Sequence, residues 1–221
     1  MNSSALTPSL GEVVGSFISE LDQLESIFAT CAGHRSVHGY KHPYIPAEDG
    51  CLVSLFDAWN RFLRSLVMRS ASGPVMGLRG VIYSPRTARN EAEVLSHLAR
   101  SRRSYSYKIT RTEPNWYIAT AFADICSCLE LDARQVPEIT GPISANVVHL
   151  GPVSVANPLE EIRACRNFVA HKNDLTLGDI VAYSHGPFVD LSWHLRKKRS
   201  GVEAFSEWKD CLAALAQASA Q

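Results

Sequence analysis

Residues Asn157 to Asn173, NPLEEIRACRNFVAHKN, constrain the fold of this chain more firmly than any other stretch. Asn157 is the expected N-cap of a helix, Pro158 suits the first helical position, and Glu160 falls where a capping box needs its carboxylate. Glu160 and Glu161 also place negative charge where the helix dipole favours it. Leu159, Ile162, Cys165 and Val169 recur at helical spacing and define a buried stripe, with Phe168 on its flank. At about 100° per residue, Arg163, Asn167 and His171 share the opposite, polar side. Arg166 stands on the border, roughly 140° round the axis from His171, within the sweep of a flexible guanidinium stem.

The remaining pattern is mostly helical. Ser9–Thr30 carries a stripe of Leu10, Val13, Val14, Phe17, Leu21, Leu24 and Phe28. Ala47–Ser70 has a wide apolar face, Leu52, Leu55, Phe56, Trp59, Phe62, Leu63, Leu66 and Val67, with Arg61 and Arg64 on its polar side. Thr87–Arg103, the very apolar Thr112–Leu131 (with Trp116, Phe122 and Ile125), Leu177–Ser184 and Val202–Ala218 complete the set. Between them, glycine and proline mark loops near 31–46, 72–86 and 134–156. Val147–Val148 reads as a short strand. Val189, Leu191, Trp193 and Leu195 alternate with Asp190, Ser192 and His194, which predicts a strand over 188–195 and a small β-hairpin with 147–150. The expected fold is mainly α: one helical domain over residues 1–221, with no internal repeat.

Arg166-Asn167-Phe168-Val169-Ala170-His171, an arginine, a polar residue, three further positions and a histidine near the end of an amphipathic helix, resembles the R-x4-H motif of HEPN ribonucleases. The resemblance implies a HEPN-like helical bundle and metal-independent RNA cleavage, with Arg166 and His171 as catalytic residues and no cofactor. It further implies a homodimer whose two motifs share one groove. The products would be a 2′,3′-cyclic phosphate and a 5′-hydroxyl, and the role that of a toxin or phage-defence effector with an antitoxin or other regulatory partner. Two positions depart from the family pattern. Asn173 stands where some members carry a tyrosine modified with AMP, and Lys172 where many carry a small residue.

The chemistry of the residues agrees. Histidine exchanges protons near neutrality, so His171 suits general base or acid. Arg166, always charged and bidentate, suits the phosphorane. Asn167, one turn before His171, can orient the imidazole or hold a phosphate oxygen. Arg163 and Lys172 are the nearest candidates for RNA binding. Two basic stretches stand further off: Arg100, Arg102, Arg103, Tyr105, Tyr107 and Lys108, where aromatics interleave, and Arg196-Lys197-Lys198-Arg199. Both read first as solvated surface and second as phosphate contacts. The alternative is a non-catalytic HEPN-like module that binds a nucleotidyltransferase or another effector.

With 22 basic and 22 acidic residues the net charge is zero, which disfavours a protein that coats nucleic acid by charge alone or a DNA-binding regulator. Six cysteines, no C-x2-C pair and no signal-peptide pattern at the start predict reduced thiols and a cytoplasmic protein. No run of about 18 apolar residues is present, so no membrane span is expected. Cys31, His34, His38 and His42 have a spacing suited to zinc. Gly39 and Pro43 interrupt the helix that this spacing needs, so the segment reads as a histidine-rich loop without metal.

Overall fold

The computed structural model describes residues 7–38, 46–101, 107, 109–110, 113–183 and 190–221. They form a mainly helical protein with short antiparallel hairpins. In chain order the elements are α1 (Leu10–His38), α2 (Pro46–Ala71), β1 (Val75–Met76), β2 (Ile82–Tyr83), α3 (Glu91–Ser101), β3 (Ile109–Thr110), β4 (Glu113–Pro114) and α4 (Ala119–Cys128). There follow α5 (Gln135–Ala145), β5 (Val147–Leu150), β6 (Val153–Ala156), α6 (Pro158–His171), α7 (Asp174–Tyr183), α8 (Leu191–Arg196), β7 (Lys198–Arg199), β8 (Val202–Glu203) and α9 (Ala204–Ser219). Among the described residues, no helix is long and apolar enough to cross a membrane.

Two compact units are present, residues 1–16, 60–145 and 215–221 in one and 17–59 and 146–214 in the other. The first contains α3, α4, α5 and the hairpins β1–β2 and β3–β4. Helix α3 begins with a reciprocal capping box: Asn90 Oδ1 accepts from the Glu93 amide and Glu93 Oε2 from the Asn90 amide. Ser9 caps α1 in the same spirit, its hydroxyl accepting from Gly11 N. Helix α5 occupies part of the expected loop over 134–156. Pro137 is tolerated because it lies in the first turn, where its missing N–H has no helical partner. Ile139 and Ile143, one turn apart, bury the helix, which runs on through Pro142. In the expected loop over 72–86, β1 pairs with β2 through Val75 opposite Tyr83.

The second unit carries the candidate site. Its buried side chains include Leu52, Leu55 and Trp59 of α2, Ile162 and Cys165 of α6, and Trp208 of α9. All eight apolar positions foreseen on α2 are buried, and Phe17 of α1 lies against Trp59 with centroids 5.9 Å apart. Strand β5 exists, but its partner is β6 (Val148 opposite Val155), not 188–195. Leu191–Arg196 is helical instead. Asp190 caps it, Oδ1 accepting from Trp193 N at 2.8 Å. Leu191, His194 and Leu195, at i, i+3 and i+4, point inward. Over six residues, alternation and helical spacing look alike, and the cap decides.

His42 of the histidine-rich segment lies outside the described residues, as do the side chains of His34 and His38. Among the described residues, no group of three or more His, Cys, Asp or Glu side chains is arranged to hold a metal ion.

Candidate functional site

Helix α6 begins and ends on left-handed residues. Asn157 has φ 56° and ψ 38°, and its side chain makes no cap hydrogen bond. The expected N-cap chemistry falls instead to Asn146, at the other end of the β5–β6 hairpin. Its Oδ1 accepts from Leu159 N at 3.2 Å and its carbonyl from Asn157 N at 2.7 Å. Glu160 does not close a capping box either, because it pairs with Arg163 (Nε to Oε2 2.8 Å). At the far end Lys172 has φ 45°, and its amide donates to Phe168 O at 2.8 Å, stopping the helix. Asn173 then starts α7: its Oδ1 accepts from Thr176 N while Thr176 Oγ1 accepts from Asn173 N. The corner between α6 and α7 is thus only two residues long.

The continuous helix from 158 to 171 places Arg166 and His171 about 7.5 Å apart along its axis. His171 is its last residue and is exposed, while Asn167 is half-buried. Arg166 is also half-buried, with its guanidinium carbon 5.7 Å from the centroid of the Phe56 ring. Its Nε is fully shielded from solvent and has no acceptor. Among the described residues it has no carboxylate partner, since the two candidates on its own helix are committed elsewhere. Glu160 is taken by Arg163 and Glu161 by residues of other elements. A shielded N–H without an acceptor is a costly arrangement.

The proposed RNA contacts differ among themselves. Arg163 is neutralised by Glu160 and is poorly placed to bind phosphate. Lys172 is exposed but has its Nζ 3.9 Å from Asp49 Oδ2. Arg64 pairs with Glu91. Within the 196–199 run, Arg196 is drawn onto buried Glu48 (Nε to Oε1 2.7 Å) and over the Phe28 ring, and Arg199 onto Glu161. These two are internal counter-ions rather than phosphate contacts. Arg102, Arg103, Tyr105 and Lys108 lie outside the described residues. Tyr107 is buried and donates to Leu98 O at 2.8 Å, so it offers no stacking face.

No family model, curated protein or solved structure matches this chain. Function must therefore be argued from the site itself.

The side chains that sequence reasoning missed are those that fix α6 in place. Glu161 is buried, and its carboxylate receives Arg199 Nη1 at 2.6 Å and Nη2 more closely still, His194 Nε2 at 3.0 Å and Trp208 Nε1 at 3.1 Å. Nε2–H of His194 must be the donor here, because an ionised carboxylate only accepts. Arg199 also reaches Glu207 Oε2 at 3.4 Å. Burial alone would raise the Glu161 pKa, but the hydrogen bonds and charge of Arg199 and His194 prevail and hold it at about 2. One carboxylate on α6 thereby gathers α8, β7 and α9 around the helix. The sequence contained a clue: Pro158, Glu161, Ile162 and Cys165 lie at i, i+3, i+4 and i+7, which sets an acid on the buried stripe.

Proposed function

We propose that this protein is a metal-independent endoribonuclease of HEPN type that acts as a homodimer. The observation that carries the reading is the Arg166 guanidinium, held on Phe56 without a carboxylate among the described residues, one and a half turns from an exposed His171. A half-buried cation whose shielded Nε–H lacks an acceptor favours an anionic ligand, and a bidentate guanidinium suits a phosphodiester.

In this mechanism His171 of one protomer takes the proton from a ribose 2′-hydroxyl. The 2′-oxygen attacks phosphorus, and the phosphorus–5′-oxygen bond breaks. The second protomer's copy of the same histidine protonates the departing 5′-oxygen, leaving a 2′,3′-cyclic phosphate and a 5′-hydroxyl. Arg166 stabilises the charge that builds on the non-bridging oxygens. Asn167, one turn before His171, orients the imidazole. Two imidazoles supply both acid and base, so the chemistry calls for no metal. A two-fold axis supplies the pair from a single motif per chain. An enzyme of this kind serves as a toxin or phage-defence effector in the cytoplasm, restrained by a partner.

The test is cleavage of unstructured RNA by purified protein in EDTA, with end-group analysis of the products. Arg166→Ala and His171→Ala should each abolish cleavage while the helical circular dichroism is kept. Cleavage that survives either change overturns the mechanism and leaves a non-catalytic helical binding module.

A further inference from the structure

Helix α2 forms a wall along the end of α6. Phe56 lies under the Arg166 guanidinium at 5.7 Å, and Asp49, about two turns earlier on α2, has its Oδ2 3.9 Å from Lys172 Nζ. Asp49 and Phe56 are about 10.5 Å apart along α2, and Arg166 and Lys172 about 9 Å apart along α6, so the two helices run antiparallel and in step here. His171, the exposed last residue of α6, falls within the stretch that these two contacts bracket. We infer that Asp49 is a positioning residue of the RNA site: it holds the Lys172 ammonium beside His171 for a substrate phosphate next to the one that Arg166 binds. This inference rests on the nuclease reading above and adds a second phosphate to it.

The two side chains are suited to unequal roles. That of Asp49 is 8% exposed and that of Lys172 55%, so the carboxylate is the fixed member and the ammonium the one that reaches solvent. A lysine loses much rotamer freedom when it binds a phosphate, and a carboxylate that already confines it removes part of that loss. At 3.9 Å the pair is beyond hydrogen-bond distance, so a phosphate oxygen can accept from Lys172 Nζ without first breaking a direct bond to Asp49. Asp49 also lies in the first turn of α2, where the helix dipole offsets its charge and limits its repulsion of a phosphate.

The experiment measures binding of fluorophore-labelled, unstructured RNA by the full-length His171→Ala protein over a range of salt, so that cleavage does not intervene. Lys172→Met should lower the slope of log K against log[salt] by about 0.7, the share of one single-strand phosphate contact. Asp49→Asn should weaken binding about three- to tenfold, although it removes a negative charge. Added to Lys172→Met, it should weaken binding no further. An unchanged slope in Lys172→Met overturns the inference. So does an Asp49→Asn protein that binds as well as its parent, or one that weakens by the same factor whether or not Lys172 is present, which is the mark of a merely structural residue. Any of these with RNA still bound by the His171→Ala parent leaves the nuclease reading standing; a parent that binds no RNA, with no cleavage by the wild type, overturns both.

Discussion

The Arg199 guanidinium and the Glu161 carboxylate meet inside the protein, with Nη1 2.6 Å from Oε2 and both side chains at most one-tenth exposed. Removing one partner strands the other, so Glu161→Ala should cost about 3–5 kcal/mol, the usual penalty for breaking a buried pair. Urea denaturation at neutral pH measures it. A loss below about 1 kcal/mol would mean that water reaches Arg199 once its partner is gone.

The same carboxylate sets an acid limit on stability. Its folded-state pKa of about 2 lies below the ordinary 4.5 that the unfolded chain retains. The stabilisation is therefore complete above pH 4.5 and is lost as pH falls towards 2, a contribution on the order of 3 kcal/mol. Glu161→Gln should lower stability at neutral pH and flatten the decline between these limits. A decline as steep as that of the wild type would assign the acid limit to other carboxylates.

Arg166 should behave in the opposite way. Because its shielded Nε has no acceptor, Arg166→Met keeps the contact with Phe56 and removes an unsatisfied donor, raising stability by about 1 kcal/mol. The same change should abolish RNA cleavage. A destabilised Arg166→Met would show the arginine to be structural, and would count against the catalytic reading.

The start of α6 gives a paired test. Asn157 makes no cap bond and sits at φ 56°, so Asn157→Gly should be neutral or stabilising by up to about 1 kcal/mol. Asn146→Ala removes the acceptor for Leu159 N and should cost about 1 kcal/mol. Thermal melts of the two variants should move in opposite directions, and equal losses would restore Asn157 as the cap.

Much of this architecture was legible in the sequence because helices announce themselves locally. The apolar face from Leu52 to Val67 and the start of α6 at Pro158 both follow from spacing within a few turns. The cap of α6 was not legible, because an asparagine eleven residues upstream, brought back by a hairpin, offers the same oxygen as the asparagine next to the helix. Helix α5 was hidden by Pro137, Gly141 and Pro142, residues that usually end helices. The pattern at 188–195 is shared by strand and helix, and only the Asp190 cap separates them. Within the candidate site, the exposure of His171 followed from its place at the helix end. The internal duty of Arg196 and Arg199 did not, since a run of four cations looks the same whether it faces water or meets buried acids 148 and 38 positions away in the chain.

The Asn146 clamp has an engineering consequence. Because Asn146 holds both Asn157 N and Leu159 N, the β5–β6 ladder is closed at its base, and its tip at Gly151 and Pro152 is exposed. That turn is a natural splice point: a short epitope or fluorophore-binding tag inserted there would hang from a sealed stem, reporting on the protein without tugging at the helix that bears Arg166 and His171.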